Sequence, residues 1–117
     1  MKYIFLCYPR CTTCKKAREW LESHGIDFEE RDIKENKPSE QELKEWHKIS
    51  KLPLKRFFNT SGVLYKNLAL KDKLPNMSED EQYTLLASDG MLVKRPILIG
   101  HDAVLVSFKD KEWEQIL

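Results

Sequence analysis

The chain opens with a predicted strand over 2–8, in which residues 3–8 are a continuous apolar run that breaks at Pro9. Such a run is typical of a strand covered on both faces, as in the centre of an α/β sheet. A helix over 12–24 is predicted next, ending at Gly25, because the following apolar residues recur at helical spacing: Cys14, Ala17, Trp20 and Leu21. A weaker alternation over 26–33 predicts a second, more exposed strand. Together these elements form a βαβ unit.

Residues 38–90 carry helix and loop signals instead. Ser39 and Glu42 have the spacing of a capping box, and they precede an apolar stripe at Leu43, Trp46 and Ile49. A second capping box, Ser78 with Glu81, opens a helix through Leu85 and Leu86 that Gly90 should end. Between the two helices, residues 54–58 form an apolar-basic turn and residues 59–62 have loop composition.

The last part of the chain returns to strands. Apolar runs at residues 97–99 and 103–108 flank a turn at residues 100–102, which predicts a hairpin. Asp110 is expected to cap a final helix that carries Trp113, Ile116 and Leu117. The predicted order is therefore βαβ, a helical insert over about 38–90, then ββα, in an α/β protein.

Composition narrows the class of protein. The 117 residues suit one domain spanning 1–117, and 41% are apolar, which is enough for a core. The 20 basic and 19 acidic residues leave a net charge of +1, which argues against a nucleic-acid binder that works through bulk charge. We predict a cytoplasmic protein with no membrane or direct nucleic-acid partner, because the sequence has neither a membrane-length apolar run nor a cleavable-signal pattern.

The three cysteines, Cys7, Cys11 and Cys14, all lie in the first 14 residues. Cys11 and Cys14 form a CxxC at the predicted junction of strand and helix. The unpaired N–H groups and the dipole of a helix N-terminus favour a thiolate, so the pKa of Cys11 should lie below its ordinary value. Positive charge from Arg10, Lys15 and Lys16 adds to this effect. We predict Cys11 as the nucleophile and Cys14 as the resolving thiol.

Other interpretations of the cysteines stay open. A CxxC is half of a zinc site, but the only further cysteine is Cys7, and the histidines His24, His47 and His101 lack ligand spacing. A pair of buried structural thiols is the other alternative. The βαβ context favours redox chemistry with no metal. Cys7, inside the apolar strand, is expected to be a small buried hydrophobic residue.

Two segments carry a family resemblance, residues 8–17 around the CxxC and residues 91–97, which contain Arg95-Pro96. Both resemble the arsenate reductase/Spx family, and the similarity extends over essentially the whole chain. The loops at 59–62 and 86–90 are most similar to an uncharacterised arsenate-reductase-like bacterial branch. The resemblance implies a thioredoxin-like fold, with a four-stranded mixed sheet flanked by helices and a helical insertion between its two halves.

The resemblance also implies roles for individual residues. Pro96 should be cis and face the Cys11 turn, and Arg95 should point at Cys11, where a guanidinium can hold an oxyanion. Substrate contacts are expected from Thr12, Thr13 and Asn59 as well as Arg95. Glutaredoxin-linked arsenate reductases have one cysteine in the turn and use three arginines around the oxyanion. In this chain Asn59 and Ser107 occupy two of the arginine positions, and Cys14 is additional.

The resemblance implies a thiol-disulfide oxidoreductase that reduces an oxyanion or disulfide. It needs no cofactor beyond a thiol reductant such as glutathione/glutaredoxin or thioredoxin, and it can have a redox partner protein. The alternative is an Spx-like redox-sensing regulator that binds the C-terminal domain of the RNA polymerase α subunit, although Pro53 stands where that regulator uses a contacting glycine. A third hypothesis is a different small substrate, with Tyr8, Phe57 and Phe58 lining its site.

Overall fold

A four-stranded mixed sheet lies at the centre of the computed structural model, which describes residues 2–117. The strands are β1 (Tyr3–Cys7), β2 (Phe28–Asp32), β3 (Ile97–Ile99) and β4 (Val104–Val106), in the order β2-β1-β3-β4. β1 pairs with β2 in parallel and with β3 antiparallel, and β3 pairs antiparallel with β4. This mixed α/β sheet confirms the predicted thioredoxin-like fold.

Alternate residues of β1 enter two different apolar clusters, as the two-residue period of a strand requires. Phe5 and Cys7 pack with α1 (Thr12–Ser23) and with Trp113 of α6 (Asp110–Trp113). Leu6 packs on the other side with the helices of the insert. Because both faces of the strand are covered, β1 needs the continuous apolar run seen in its sequence.

The insert contains four α-helices: α2 (Glu40–Ser50), α3 (Val63–Asn67), α4 (Leu70–Lys73) and α5 (Glu79–Ser88). Both predicted capping boxes are present, with Ser39 and Glu42 at the start of α2 and Ser78 and Glu81 at the start of α5. A 3-10 turn at Leu54–Phe57 follows α2. The helical region therefore begins and ends close to the predicted limits. Within residues 2–117, no helix is both long and apolar enough to cross a membrane.

Three local predictions are wrong in detail. Asp110 does not cap the last helix: Lys109 is the N-cap, and Asp110 is the first helical residue. Gly90 does not end α5, which stops at Ser88; Gly90 begins a 3-10 turn instead. Glycine is needed there because a Cβ would lie 1.8 Å from the carbonyl oxygen of Ile33. The second hairpin strand is also shorter than the predicted 103–108.

Candidate active site

The turn between β1 and α1 leaves Cys11 of the CxxC partly exposed. The N–H of Cys11 donates to the carbonyl of Tyr8 at 3.0 Å, which closes a tight turn around Pro9 and Arg10. Cys11 is the N-cap of α1, with an extended backbone. Its sulfur accepts the N–H of Cys14 at 3.4 Å, in the place of the oxygen of an ordinary capping residue. The helix therefore starts directly on the candidate nucleophile.

The hydrogen bonds at this helix end lower the pKa of Cys11. Partial burial of the sulfur acts in the opposite direction and would by itself raise the pKa. It is outweighed by donors to the sulfur, which are the N–H of Cys14, the Cys14 thiol and the N–H of Thr13, and by the positive charge of Arg95. The predicted direction of the shift is confirmed.

The pKa of Cys14 is shifted in the opposite direction. Its side chain is fully buried, and burial together with the neighbouring Cys11 raises its pKa to about 12, even though the N–H of Tyr8 donates to its sulfur at 3.4 Å. The structure contains Cys11 and Cys14 as free thiols in contact through hydrogen bonds. The pair thus combines one accessible, acidified thiol with one protected, neutral thiol.

A second wall of the site, in addition to the Cys11 turn, is formed by the segment that precedes β3. The Arg95–Pro96 bond is cis, as the resemblance implies. The guanidinium of Arg95 lies 5.1 Å from the centre of the Tyr8 ring, in a cation–π contact. Among the described residues, Nη1 of Arg95 is buried and lacks a hydrogen-bond partner. A buried guanidinium nitrogen without an acceptor is costly, so it indicates a place where an anionic ligand would bind.

Cys11 and Arg95 line the same cleft, which has a volume of about 470 Å³. The insert contributes a third wall through Asn59, which is buried, and through the start of α3. The full lining is Cys11, Thr13, Asn59, Ser61, Gly62, Val63, Leu64, Met91, Lys94 and Arg95. Six of these residues were not assigned to the site from the sequence, because only the fold brings them beside the cysteine: Ser61, Gly62, Val63, Leu64, Met91 and Lys94.

The other predicted site residues lie elsewhere. Thr12 is exposed and outside the cleft lining, although it is next to Cys11. Tyr8 borders the site by supporting Arg95, whereas Phe57 and Phe58 are buried in the core. Ser107 lies outside the cleft lining, and its N–H donates to the carbonyl of Pro96 at 2.8 Å. Its position is therefore structural, beside the segment that carries Arg95.

Cys7 also has an arginine beside it, but its environment differs. The sulfur lies 3.8 Å from Nη2 of Arg18, whose Nε pairs with Glu30 at 2.6 Å. Burial and the negative charge of Glu30 raise the pKa of Cys7 to about 11, despite the opposing effect of Arg18. Cys7 is 1% exposed, so it is the small buried hydrophobic residue that the sequence predicts. No group of three potential metal ligands occurs within residues 2–117.

Known proteins resemble the chain over almost its full length. The model of the ArsC family matches residues 6–116. The uncharacterised protein YusI of Bacillus subtilis is 52% identical over 98% of both chains. The regulatory protein MgsR of the same species is 31% identical over 92% of this chain and 84% of the relative. A global transcriptional regulator Spx of Oceanobacillus iheyensis is 30% identical over 93% and 82%.

Solved structures give the same grouping. A protein of Bacteroides fragilis related to the ArsC family superposes with a TM-score of 0.97 at 51% identity, covering 100% of this chain and 98% of the other. A protein of Streptococcus mutans described as a possible arsenate reductase has a TM-score of 0.88 at 41% identity, covering 96% and 97%. These relatives thus include both regulators and reductase-like proteins.

Proposed function

This chain belongs to the ArsC family, and from that premise we propose that it is a thiol-disulfide oxidoreductase whose nucleophile is Cys11. One observation carries the proposal. The Cys11 thiol is partly exposed and has a lowered pKa. It shares a cleft with Nη1 of Arg95, which is buried and has no hydrogen-bond partner among the described residues. A thiolate beside an anion-binding group suits attack on an oxyanion or on a disulfide with a polar substituent.

The reaction with a disulfide follows two steps. The Cys11 thiolate attacks one sulfur of the substrate, forming a mixed disulfide and displacing the second sulfur as a thiolate, which takes a proton from water. Cys14 then loses its proton and attacks the Cys11 sulfur, releasing the other half of the substrate. The substrate gains two electrons, and the protein ends with a Cys11–Cys14 disulfide. An external thiol reductant, such as glutathione with glutaredoxin or thioredoxin, returns the pair to the dithiol.

The two steps are ordered by the charge on Cys11. The charge of Cys11 and its hydrogen bond are two of the causes that raise the pKa of Cys14, after burial. Both causes disappear when the Cys11 sulfur becomes part of a neutral mixed disulfide. The pKa of Cys14 then falls, and the second thiol becomes a better nucleophile only after the first has reacted.

With arsenate as substrate, Arg95 would hold the oxyanion while Cys11 attacks arsenic and water leaves. Cys14 would then attack the Cys11 sulfur, releasing arsenite and forming the same protein disulfide. Among the residues that line the Cys11 cleft, Arg95 alone carries a guanidinium. Asn59 and Ser107 hold the two other positions at which the resemblance places arginines. Each charge-assisted contact contributes roughly 1.5–3 kcal/mol, so we expect disulfides to be reduced more efficiently than arsenate.

A single-turnover assay tests the proposal. The fully reduced protein, freed of reductant, is mixed with a small disulfide or with arsenate, and the product and protein thiols are quantified after acid quenching. We expect the wild type to reduce one equivalent of disulfide and Cys11→Ser to reduce none. Cys14→Ser should stop at a mixed disulfide on Cys11, visible by mass spectrometry. An unimpaired Cys11→Ser protein would contradict the assignment of the nucleophile.

A multiple-turnover assay identifies which thiol reductant regenerates the protein. Glutathione with glutaredoxin is compared with thioredoxin and its reductase, each supplied with the same substrate. Cys7→Ala serves as the matched control, because it removes a thiol outside the cleft. We expect it to retain the wild-type rate with whichever reductant sustains turnover.

A second candidate function is an Spx-like redox switch, and the similarity to MgsR and to regulators named Spx favours it. In that case the Cys11–Cys14 disulfide would control binding to the C-terminal domain of the RNA polymerase α subunit without turnover. A pull-down with that domain, on reduced and oxidised protein, separates the two functions. Redox-dependent binding together with no multiple turnover would favour the regulator, and turnover without binding would favour the enzyme.

A further inference from the structure

A second cavity adjoins the Cys11 cleft. It has a volume of about 370 Å³, and its lining residues are Pro53, Lys55, Arg56, Phe58, Thr60 and Lys94. Lys94 lines both cavities, so the two lie next to each other at this residue. We call this second cavity the cationic pocket, because three of its six lining residues are basic.

The cationic pocket is fixed to the wall that carries Arg95. Residues 57–59 pair with residues 92–94 through two backbone hydrogen bonds, from Lys94 N–H to the Phe57 carbonyl and from Asn59 N–H to the Leu92 carbonyl, each 2.8 Å long. Phe58, 1% exposed, anchors this pairing in the core. Lys55 and Arg56 directly precede this paired segment, in the 3-10 turn Leu54–Phe57, and Lys94 lies in the partner segment next to Arg95.

The charged residues that line these two cavities are all basic. The described residues that line the two cavities include Lys55, Arg56, Lys94 and Arg95 but no acidic residue. The two ion pairs within residues 2–117 use Arg18 and Arg31, so the cations of the pocket are not engaged with a carboxylate. Lys55 also borders a separate cavity on its other side, in which Glu79 lies beyond ion-pair distance. In a chain with a net charge of only +1, this local excess is a specific feature.

We propose that the cationic pocket binds a carboxylate group of a small anionic disulfide, placing one of its sulfur atoms at Cys11. This inference rests on the proposed function and adds the class of substrate to it. The carboxylate contacts Lys55, Arg56 and Lys94, and the sulfur end of the molecule occupies the Cys11 cleft. The exchange is the one already described: Cys11 forms the mixed disulfide, Cys14 displaces the remaining half, and two thiols leave while the protein disulfide forms.

Three small disulfides of different charge provide the test: 3,3′-dithiodipropionate (anionic), bis(2-hydroxyethyl) disulfide (neutral) and cystamine (cationic). Single-turnover rates at low ionic strength are measured on the reduced wild type and on the double variant Lys55→Gln/Arg56→Gln. The matched control is Lys44→Gln/Lys111→Gln, which removes the same charge from exposed residues that line neither cavity. Lys94 is left intact because it also lines the Cys11 cleft.

The measured quantity is the ratio of the anionic rate to the neutral rate for each protein. Differences in intrinsic reactivity between the disulfides, or in the fraction of folded protein, cancel when this ratio is compared between variants. We expect the ratio to fall about tenfold in Lys55→Gln/Arg56→Gln and to change less than about twofold in the control. For cystamine the corresponding ratio should rise, and added salt should weaken the wild-type preference for the anion.

Two results would overturn the inference and spare the proposed function. One is an unchanged ratio in Lys55→Gln/Arg56→Gln; the other is an equal fall in the control variant, which would show a general charge effect. If the wild type reacts with none of the three disulfides, the proposed function itself fails and this inference fails with it.

Discussion

Two cysteine–arginine pairs in this molecule have opposite properties. Cys7 lies 3.8 Å from Arg18 and its pKa is raised to about 11, whereas Cys11 lies near Arg95 and its pKa is lowered. Proximity to a guanidinium therefore does not by itself make a reactive thiol. Cys7 is buried among apolar side chains, and its arginine is already paired with Glu30. Cys11 caps a helix, where backbone N–H groups donate to its sulfur.

The difference shows that the helix end, more than the nearby cation, distinguishes the two thiols. Backbone donors are fixed by the fold, and they cannot be neutralised by a neighbouring carboxylate. Arg95, with Nη1 free of a partner among the described residues, is then available for an anion rather than for the thiolate alone.

The largest expected effect is a difference in alkylation rate between the cysteines. At pH 7 a thiol with a pKa of about 11 or about 12 is a thiolate in roughly one molecule in 10⁴ or fewer. We expect Cys11 to react with iodoacetamide at least about a hundredfold faster than Cys7 or Cys14 in the reduced native protein. Peptide mass spectrometry over time measures the three rates.

The pH profile of the same reaction sharpens this test. Since the pKa of Cys11 is lowered, its rate should reach half of the maximum at a lower pH than that of a free cysteine peptide. Comparable rates for Cys7 and Cys11 would remove the basis of the comparison.

Removing Cys11 should alter Cys14. In a Cys7→Ala background, the further change Cys11→Ala eliminates the charge and the hydrogen bond of Cys11 that raise the pKa of Cys14, so this pKa should be lower than in the Cys7→Ala protein. It should stay above the ordinary thiol value, because burial is the largest cause and persists. Thiolate absorbance at 240 nm against pH measures the shift, with Cys11→Ser as a control that keeps a polar group but no charge. An unmoved titration would refute the ordered use of the two thiols.

Replacing Arg95 should have a smaller effect on thiol reactivity than on substrate binding. Arg95→Gln raises the pKa of Cys11, because a favourable charge is lost while the backbone donors remain. We expect the alkylation rate at pH 6.5 to fall by less than about tenfold, while anionic substrate turnover falls further. Arg95→Lys keeps the charge and is the matched control. A loss of alkylation comparable to that of Cys11→Ser would mean that the arginine, and not the helix end, activates the thiol.

The smallest expected effect comes from Glu30→Gln. It removes a charge that raises the pKa of Cys7, so this pKa should fall, but burial keeps Cys7 above the ordinary value and slow to alkylate. The ion pair with Arg18 is partly exposed, so the free energy of unfolding should change by less than about 1 kcal/mol. Chemical denaturation and the alkylation rate check both points. If Cys7 became as reactive as Cys11 in this variant, the charge of Glu30 alone would account for the difference in reactivity between the two cysteines.

The sequence predicts those parts of the fold that depend on interactions between residues close together in the chain. The apolar run of β1, the two capping boxes and the CxxC at the start of α1 all involve residues close together in the chain. Gly90 shows the limit of such signals, because its function depends on the backbone of Ile33, which lies far away in sequence. Asp110 is acceptable both as a cap and as a first-turn residue, so the pattern could not separate the two positions.

Residue patterns alone predict the candidate site only on its CxxC side. The family resemblance supplied Arg95 and Asn59, and the structure brings both into the Cys11 cleft. Lys94 and the cationic pocket were not predicted, because their position depends on the pairing of residues 57–59 with 92–94. The basic residues expected to assist Cys11, namely Arg10, Lys15 and Lys16, are exposed and lie outside the cleft lining.

The complete burial of Cys14 has a consequence for the lifetime of the protein under oxidative stress. A peroxide that reaches the molecule meets the Cys11 sulfur first, and one attack leaves a sulfenic acid there. Cys14 is in contact with that sulfur but shielded from the oxidant, so we expect it to condense with the sulfenic acid, forming a disulfide and releasing water, before further, irreversible oxidation. On this expectation, the thiol that solvent cannot reach would keep the oxidation of the accessible thiol reversible.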